Sequence, residues 1–183
     1  MKRILLLLVS ALLLAACVTP PPSAPWTGSW EYRGSQDYER AHPGLGASHR
    51  FQSEIGWIDV YVYGLKRGDW ADGVADPLFG RVFDSAVAEI RMAEQAGYYR
   101  EVKLGRVEDV EIGGKAYRHL AMHFSSDGKP LESHLYLTAV NGQLLKFRMS
   151  FFAPVPPNLD AVMRDFIARH VPRLLPQGPM RRI

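Results

Sequence analysis

Apolar and polar residues alternate without a break in "GWIDVYVYGL", with Ile58, Val60 and Val62 on one side and Trp57, Asp59, Tyr61 and Tyr63 on the other. A period of two marks a half-buried strand. The following stretch, "ADPLFGRVFDSAVAEIRMAEQAG", switches to the helical period. Phe79, Val82, Phe83, Ala86, Val87 and Ile90 form one stripe, Asp76 is placed as N-cap, Pro77 takes the first helical position, and Gly97 is the stop. "NLDAVMRDFIARHVPRLL" repeats the pattern near the C-terminus, with Leu159, Val162, Met163, Phe166, Ile167 and Val171 on one face before Pro172 disturbs it. Two amphipathic helices need an apolar surface to bury against.

That surface is the run from Tyr99 to Phe152, punctuated by Gly113-Gly114, Asp127-Gly128 and Asn141-Gly142, dipeptides that close hairpins. Four consecutive antiparallel strands are predicted. In the second, Leu120, Met122 and Phe124 share one face while Tyr117, His119, Ala121 and His123 share the other. In the third, Ser133, Leu135, Leu137 and Ala139 oppose Glu132, His134, Tyr136 and Thr138. The fourth sets Leu145, Phe147, Met149 and Phe151 against Lys146, Arg148 and Ser150. Residues directly opposite in neighbouring strands point to the same side. A two-residue turn at Asp127-Gly128 pairs Phe124 with Leu131 and His123 with Glu132, keeping the faces separate. At Asn141-Gly142 a two-residue turn would set Leu137 opposite Lys146, so a longer loop with Gly142 in a bulge is expected, placing Leu137 opposite Leu145 and His134 opposite Arg148.

Upstream of the sheet, Lys2 and Arg3 precede a run from Ile4 to Ala16 that is apolar except for Ser10, followed by the chain's only cysteine, Cys17. A membrane span needs roughly 20 apolar residues, and Pro20, Pro21 and Pro22 cut this run short. Charge, apolar core and small residues are the marks of a signal peptide over residues 1–16. Leu14-Ala15-Ala16-Cys17 resembles the lipobox of bacterial lipoproteins. The resemblance implies a thioether-linked diacylglycerol on Cys17, cleavage before it, and acylation of the new amino terminus. Because Val18 and not Asp follows, it also implies the periplasmic face of the outer membrane as destination.

Residues 17–25 then read as a lipidated cysteine with a proline-rich, extended tether, since "VTPPPSAPW" has four prolines in nine residues. Residues 26–48 turn to Gly, Ser and mixed charge with no sustained period. They are expected to be mostly irregular, with a short strand near Trp30 to Arg33. Residues 49–176 suffice for a single domain with its own core, and 177–183 form a basic tail. The predicted class is α+β, an antiparallel sheet of about five strands, mostly a meander, packed with two amphipathic helices. The order strand, helix, four-stranded meander, helix over residues 49–175 is similar to the PsbP-like group of small lumenal and periplasmic proteins. That resemblance implies a sheet flanked by helices in a family whose members mostly act as accessory or binding subunits.

Charge narrows the partners. The chain carries 22 basic and 19 acidic residues, but Lys2 and Arg3 leave with the signal, so 20 face 19 and the mature charge is +1. A near-neutral domain is not built for nucleic acid. With Cys17 consumed by lipid, no thiol remains for a disulfide, a thiolate metal site or a cysteine nucleophile. The chain has no G-x-S-x-G, H-E-x-x-H, P-loop or Rossmann fingerprint. Glu108-Asp109 and the Asp69, Asp72 pair read as ordinary surface, and Ser125-Ser126-Asp127 as a hairpin tip. His170 lies near a helix C-terminus, where an imidazole suits the dipole.

Two surfaces remain as candidates for binding. The polar sheet face gathers His119, His123, His134, Glu132, Tyr136 and Arg148, which invites zinc or copper. However, His119 and His123 lie about 13 Å apart along one strand at about 3.3 Å per residue, and His134, opposite Ala121, reaches one of them more readily than both. A solvated or helix-covered polar face accounts for these residues more simply. The second candidate is the aromatic row of Trp57, Tyr61 and Tyr63, either a platform for a glycan, peptide or protein or a surface covered by the first helix or the Trp26–Tyr38 segment. No catalytic residue, cofactor or metal is predicted. The expected role is a non-enzymatic binding or accessory module for an envelope component or protein partner. The alternative is a periplasmic hydrolase or metal-handling protein using the histidine face.

Overall fold

The computed structural model describes residues 24–174. The expected signal peptide, Cys17 and the basic tail lie outside the described residues. The elements run β1 (Glu31–Asp37), β2 (Ala47–Ser53), β3 (Gly56–Tyr63), α1 (Phe79–Gln95), β4 (Arg100–Ile112), β5 (Lys115–Ser126), β6 (Lys129–Val140), β7 (Gln143–Phe152) and α2 (Leu159–Leu174). One antiparallel sheet has the order β1-β2-β3-β7-β6-β5-β4. Two meanders, β1 to β3 and β4 to β7, are thus joined along a single seam in which Gly56 pairs with Phe151 through to Tyr63 with Leu144.

The α+β class holds, and the sheet has seven strands where about five were expected. The difference lies around residues 26–53: the short strand expected near Trp30 to Arg33 is present and runs on to Asp37, and β2 was not expected, while the rest of 26–46 is irregular as read. β1 and the start of β2 place the first strands of the sheet before residue 49. β1 is an edge strand exposed along nearly its whole length, and a strand with neither face buried has no hydrophobic alternation to read. Its bulge between Tyr32 and Gly34, like the two bulges in β4 at the other edge, interrupts the free ladder against further pairing.

The sheet is covered on both faces. Ile58, Val60 and Val62 of β3 join Leu145, Phe147, Met149 and Phe151 of β7 in one cluster with Leu159, Met163, Phe166, Ile167 and Val171 of α2. Alternate residues form a second cluster, in which Leu120, Met122, Leu135, Leu137 and Leu144 meet Phe79, Phe83, Ala86 and Ile90 of α1. Trp30 adds its ring to Phe151 and Phe166 on the α2 side. There Trp26 is pinned by a reciprocal backbone-to-amide pair with Asn158, 2.8 and 2.9 Å.

Helix α1 begins at Phe79, slightly later than the Asp76-Pro77 signal suggests. Asp76 accepts from the Leu78 N–H at 2.9 Å, but its carboxylate also binds Arg67 at 3.0 Å. That second partner holds it in the turn before the helix. The 64–76 loop then returns to the sheet, bridging Trp70 to Gly142 and Gly73 to Ala139. Gly142 has φ 76°, and a β-carbon there would collide with the Gly68 carbonyl, so glycine is required twice over.

The Asp127-Gly128 turn pairs Phe124 with Leu131 and His123 with Glu132, as expected. The Asn141-Gly142 turn does not make the expected bulge. Both residues have positive φ, 53° and 76°, the signature of a two-residue type I′ turn. Val140 pairs with Gln143, Leu137 with Lys146 and His134 with Met149. The bulge followed from assuming one greasy and one polar face. With a helix over each face, Leu137 and Lys146 can share the α1 side, because Lys146 passes over the Tyr61 ring at 4.6 Å and ends on Glu89 of α1 at 3.0 Å.

Candidate functional site

That register divides the expected surface in two. His119, His123, His134 and Tyr136 lie on the α2 side of the sheet, whereas Trp57, Tyr61, Tyr63 and Arg148 lie on the α1 side. Arg148 is therefore not part of the histidine face, since its side is decided by the two-residue turn at Asn141-Gly142.

On the α2 side the histidines form a chain. Glu108 Oε1 lies 3.1 Å from His119 Nδ1, His119 Nε2 lies 3.0 Å from His134 Nδ1, and His134 Nε2 lies 3.0 Å from Glu132 Oε1. His123, well exposed, stands at 3.5 Å from the other oxygen of Glu132. The first three contacts each need one proton. Two neutral imidazoles supply two, so with both rings neutral two of the three contacts are hydrogen bonds. His119 and His134 are both buried, and the His119 ring stacks on Tyr136 at 4.3 Å.

Burial pushes the His119 pKa below its ordinary 6.5, outweighing the opposite pull of the Glu108 hydrogen bond, with His134 adding to the lowering and Asp160 opposing it weakly. The hydrogen bond from His134 holds Glu132 below the usual carboxylate range despite burial. Burial also lowers His49 and His170. A histidine whose folded pKa is depressed contributes stability fully above its unfolded pKa, and that contribution is lost as pH falls below it. Denaturant unfolding is accordingly expected to show a stability loss from pH 7.5 to pH 5.5, and His119→Gln to lessen it, with one proton worth at most about 1.4 kcal/mol per pH unit. An undiminished loss in the variant would show that His119 takes up its proton equally in both states.

Chemically the chain is self-satisfied. His119 and His134 spend one nitrogen on each other and the second on a carboxylate, and no hydroxyl or thiol bonds into the chain among the described residues. His134 touches His119 directly and reaches His123 only through Glu132. Among the described residues no group of three or more His, Cys, Asp or Glu side chains is arranged to hold a metal ion. Glu108 is the member that sequence reasoning missed. The Gly113-Gly114 turn contained the signal, because pairing Ile112 with Lys115 sets Glu108 opposite His119.

On the α1 side two neighbouring hollows, about 670 and 660 Å³, share Tyr61, Ala86, Glu89 and Lys146. Tyr63 is buried, whereas Trp57 and Tyr61 are partly buried and line the hollows. The first hollow is mainly apolar, with Trp70, Leu78 and Val82. The second is polar, with Arg50, Asp59, Arg148 and Ser150 beside Trp57, Tyr98 and Tyr99. Burial, then the Asp59 charge, pushes the Tyr61 hydroxyl up to about 12. Arg50 and Asp59 form a bidentate pair, both contacts 2.7 Å. Among the described residues Arg148 hydrogen-bonds only the Ser133 hydroxyl, 3.0 Å from Nε, and its buried Nη2 has no hydrogen-bond partner. Ser133 in turn bonds Ser150 at 2.9 Å. Tyr98, Tyr99 and Arg50 entered no sequence-based candidate set, because they come from segments that only the folded sheet and the end of α1 bring together.

No protein-family model and no curated protein matches the sequence. Among solved structures the chain is similar to cyanobacterial PsbP from Synechocystis sp. PCC 6803, with 16% identity, 79% of this chain and 81% of that one covered, and a TM-score of 0.46. It is also similar to PA94, a protein of unknown function from Pseudomonas aeruginosa, with 12% identity, 82% and 99% covered, and a TM-score of 0.44.

Proposed function

We propose that this chain is a lipid-anchored periplasmic protein, held at the outer membrane through Cys17, and that it acts as a non-enzymatic binding or accessory module for an envelope component or protein partner. The observation that carries the binding role is the groove along α1, where the partly buried rings of Trp57 and Tyr61 stand beside a cation with no acidic partner among the described residues. Concave, partly aromatic surfaces with a few placed polar groups are what ligand sites look like. Support for the address comes from the lipobox-like Leu14-Ala15-Ala16-Cys17, and the element order that resembles the PsbP-like group points toward an accessory role. The histidine face, with its nitrogens committed to each other and to carboxylates, is read as a structural network.

Co-sedimentation with isolated outer-membrane and peptidoglycan fractions tests this, using chain carrying Cys17→Ala so that no anchor contributes. Trp57→Ala and Tyr61→Ala are each expected to weaken binding about tenfold, equivalent to about 1.4 kcal/mol, and His123→Ala to leave it unchanged. Wild-type binding by both aromatic variants would remove the groove from the function.

A further inference from the structure

Arg148 stands in mid-strand, directly opposite Asp59 in the register of β3 and β7. An ion pair between them would be the ordinary outcome, yet Asp59 turns to Arg50 and is held at both oxygens. Glu89, the other carboxylate lining this hollow, is taken by Lys146. Among the described residues three cations and two carboxylates therefore line the space, and the unmatched charge is Arg148. Its guanidinium lies 5.8 Å from the ring centres of Tyr99 and Phe124, and burial disfavours its charge. Leaving a guanidinium that is partly buried, with Nη2 wholly so, without a counter-charge is costly to the folded state.

We infer that the hollow beside α1 is a carboxylate-binding site in which the ligand supplies the counter-charge that Arg148 lacks. This rests on reading the groove as a binding surface. A guanidinium offers a planar fork that matches a carboxylate. A monoanion balances the hollow, whereas a dianionic phosphate would leave excess negative charge facing Asp59 and Glu89. The space of about 660 Å³ and the rings of Trp57, Tyr61 and Tyr99 suit an organic acid of roughly dipeptide size. The same carboxylate could belong to a peptide C-terminus or to an acidic sugar.

The test follows the Arg148 Nε–H resonance by NMR in the full chain. Acetate, N-acetyl-dialanine and glucuronate are titrated at constant ionic strength against acetamide, glucose and inorganic phosphate. A saturable shift with acetate and at least one larger carboxylate, absent with the neutral compounds and weaker with phosphate, is expected. The larger shift of the two tells peptide from sugar. Arg148→Lys should weaken the response at least tenfold. Arg148→Met should abolish all carboxylate binding, read through Trp57 fluorescence, and melt at or above the temperature of the unsubstituted chain, because it removes an unpaired, partly buried charge. No shift with any carboxylate, an equal response to phosphate, or a drop in melting temperature of more than about 5 °C in Arg148→Met would each overturn the inference, the last by making Arg148 a packing residue. If acetate moves Arg148 while the Trp57 and Tyr61 variants still bind envelopes normally, the carboxylate site stands and the envelope reading falls. The reverse pair of results removes the carboxylate site alone.

Discussion

Phe147→Ala loses about 3–5 kcal/mol of folding stability, the range of a large aromatic removed from a close-packed interior. The ring is wholly buried, lies on the central strand β7 between β3 and β6, meets Tyr117 edge-on at 6.3 Å, and belongs to the cluster under α2. Leu137→Ala on the α1 side belongs with it, at about 2–5 kcal/mol, because Leu137 is equally buried in the other cluster. Lys146→Ala sits next in sequence yet should cost under about 1 kcal/mol, since the Glu89 it releases is mostly exposed and regains water. Thr138 lies on the sheet face that the sequence marks as polar. It is fully buried, and its hydroxyl donates to the Ala116 carbonyl at 2.7 Å, which brings Thr138→Ala to about 1–3 kcal/mol. Denaturant midpoints of the four variants separate these effects, and equal midpoints for Phe147→Ala and Lys146→Ala would refute the assignment of the core.

Cys17→Ser is expected to move the protein entirely from the membrane to the soluble fraction, or to leave it uncleaved, and to abolish incorporation of radioactive fatty acid. Each buried acyl methylene contributes about 0.8 kcal/mol, so several chains on one residue make attachment nearly permanent. Among the described residues no helix is long and apolar enough to replace that anchor by crossing a bilayer. Label persisting on the serine variant would refute lipidation at this position.

Much of this fold was legible where one physical constraint dominated. The alternation of Ile58, Val60 and Val62 and the stripes of Phe79 to Ile90 and Leu159 to Val171 reappear as buried faces. The Asp-Gly turn set the β5–β6 register. The readings failed where a second constraint was hidden. The two-residue turn moved Arg148 away from the histidines, and the covering α1 makes groove residues of it and Lys146. β1 carries no pattern because it is exposed on both sides. The contact between His119 and His134 needed only the diagonal of a correctly paired hairpin. The unpaired state of Arg148 was not legible at all, because it depends on Asp59 preferring Arg50, a choice made by side chains and not by strand order.

The seam between β3 and β7 bears on how the protein assembles. Each meander can zip up through short hairpins, with contacts that are close in sequence. The seam cannot, because it joins strands separated by α1 and three further strands, and that long loop must be closed before any of its hydrogen bonds form. Either meander alone would present a naked edge, β3 or β7, carrying buried-type residues such as Val60 and Phe147. Until docking, these are the edges most open to pairing with another chain. A nascent chain emerges β1 first, so its first meander waits with the β3 edge open until β7, nearly the last element made, arrives to close it.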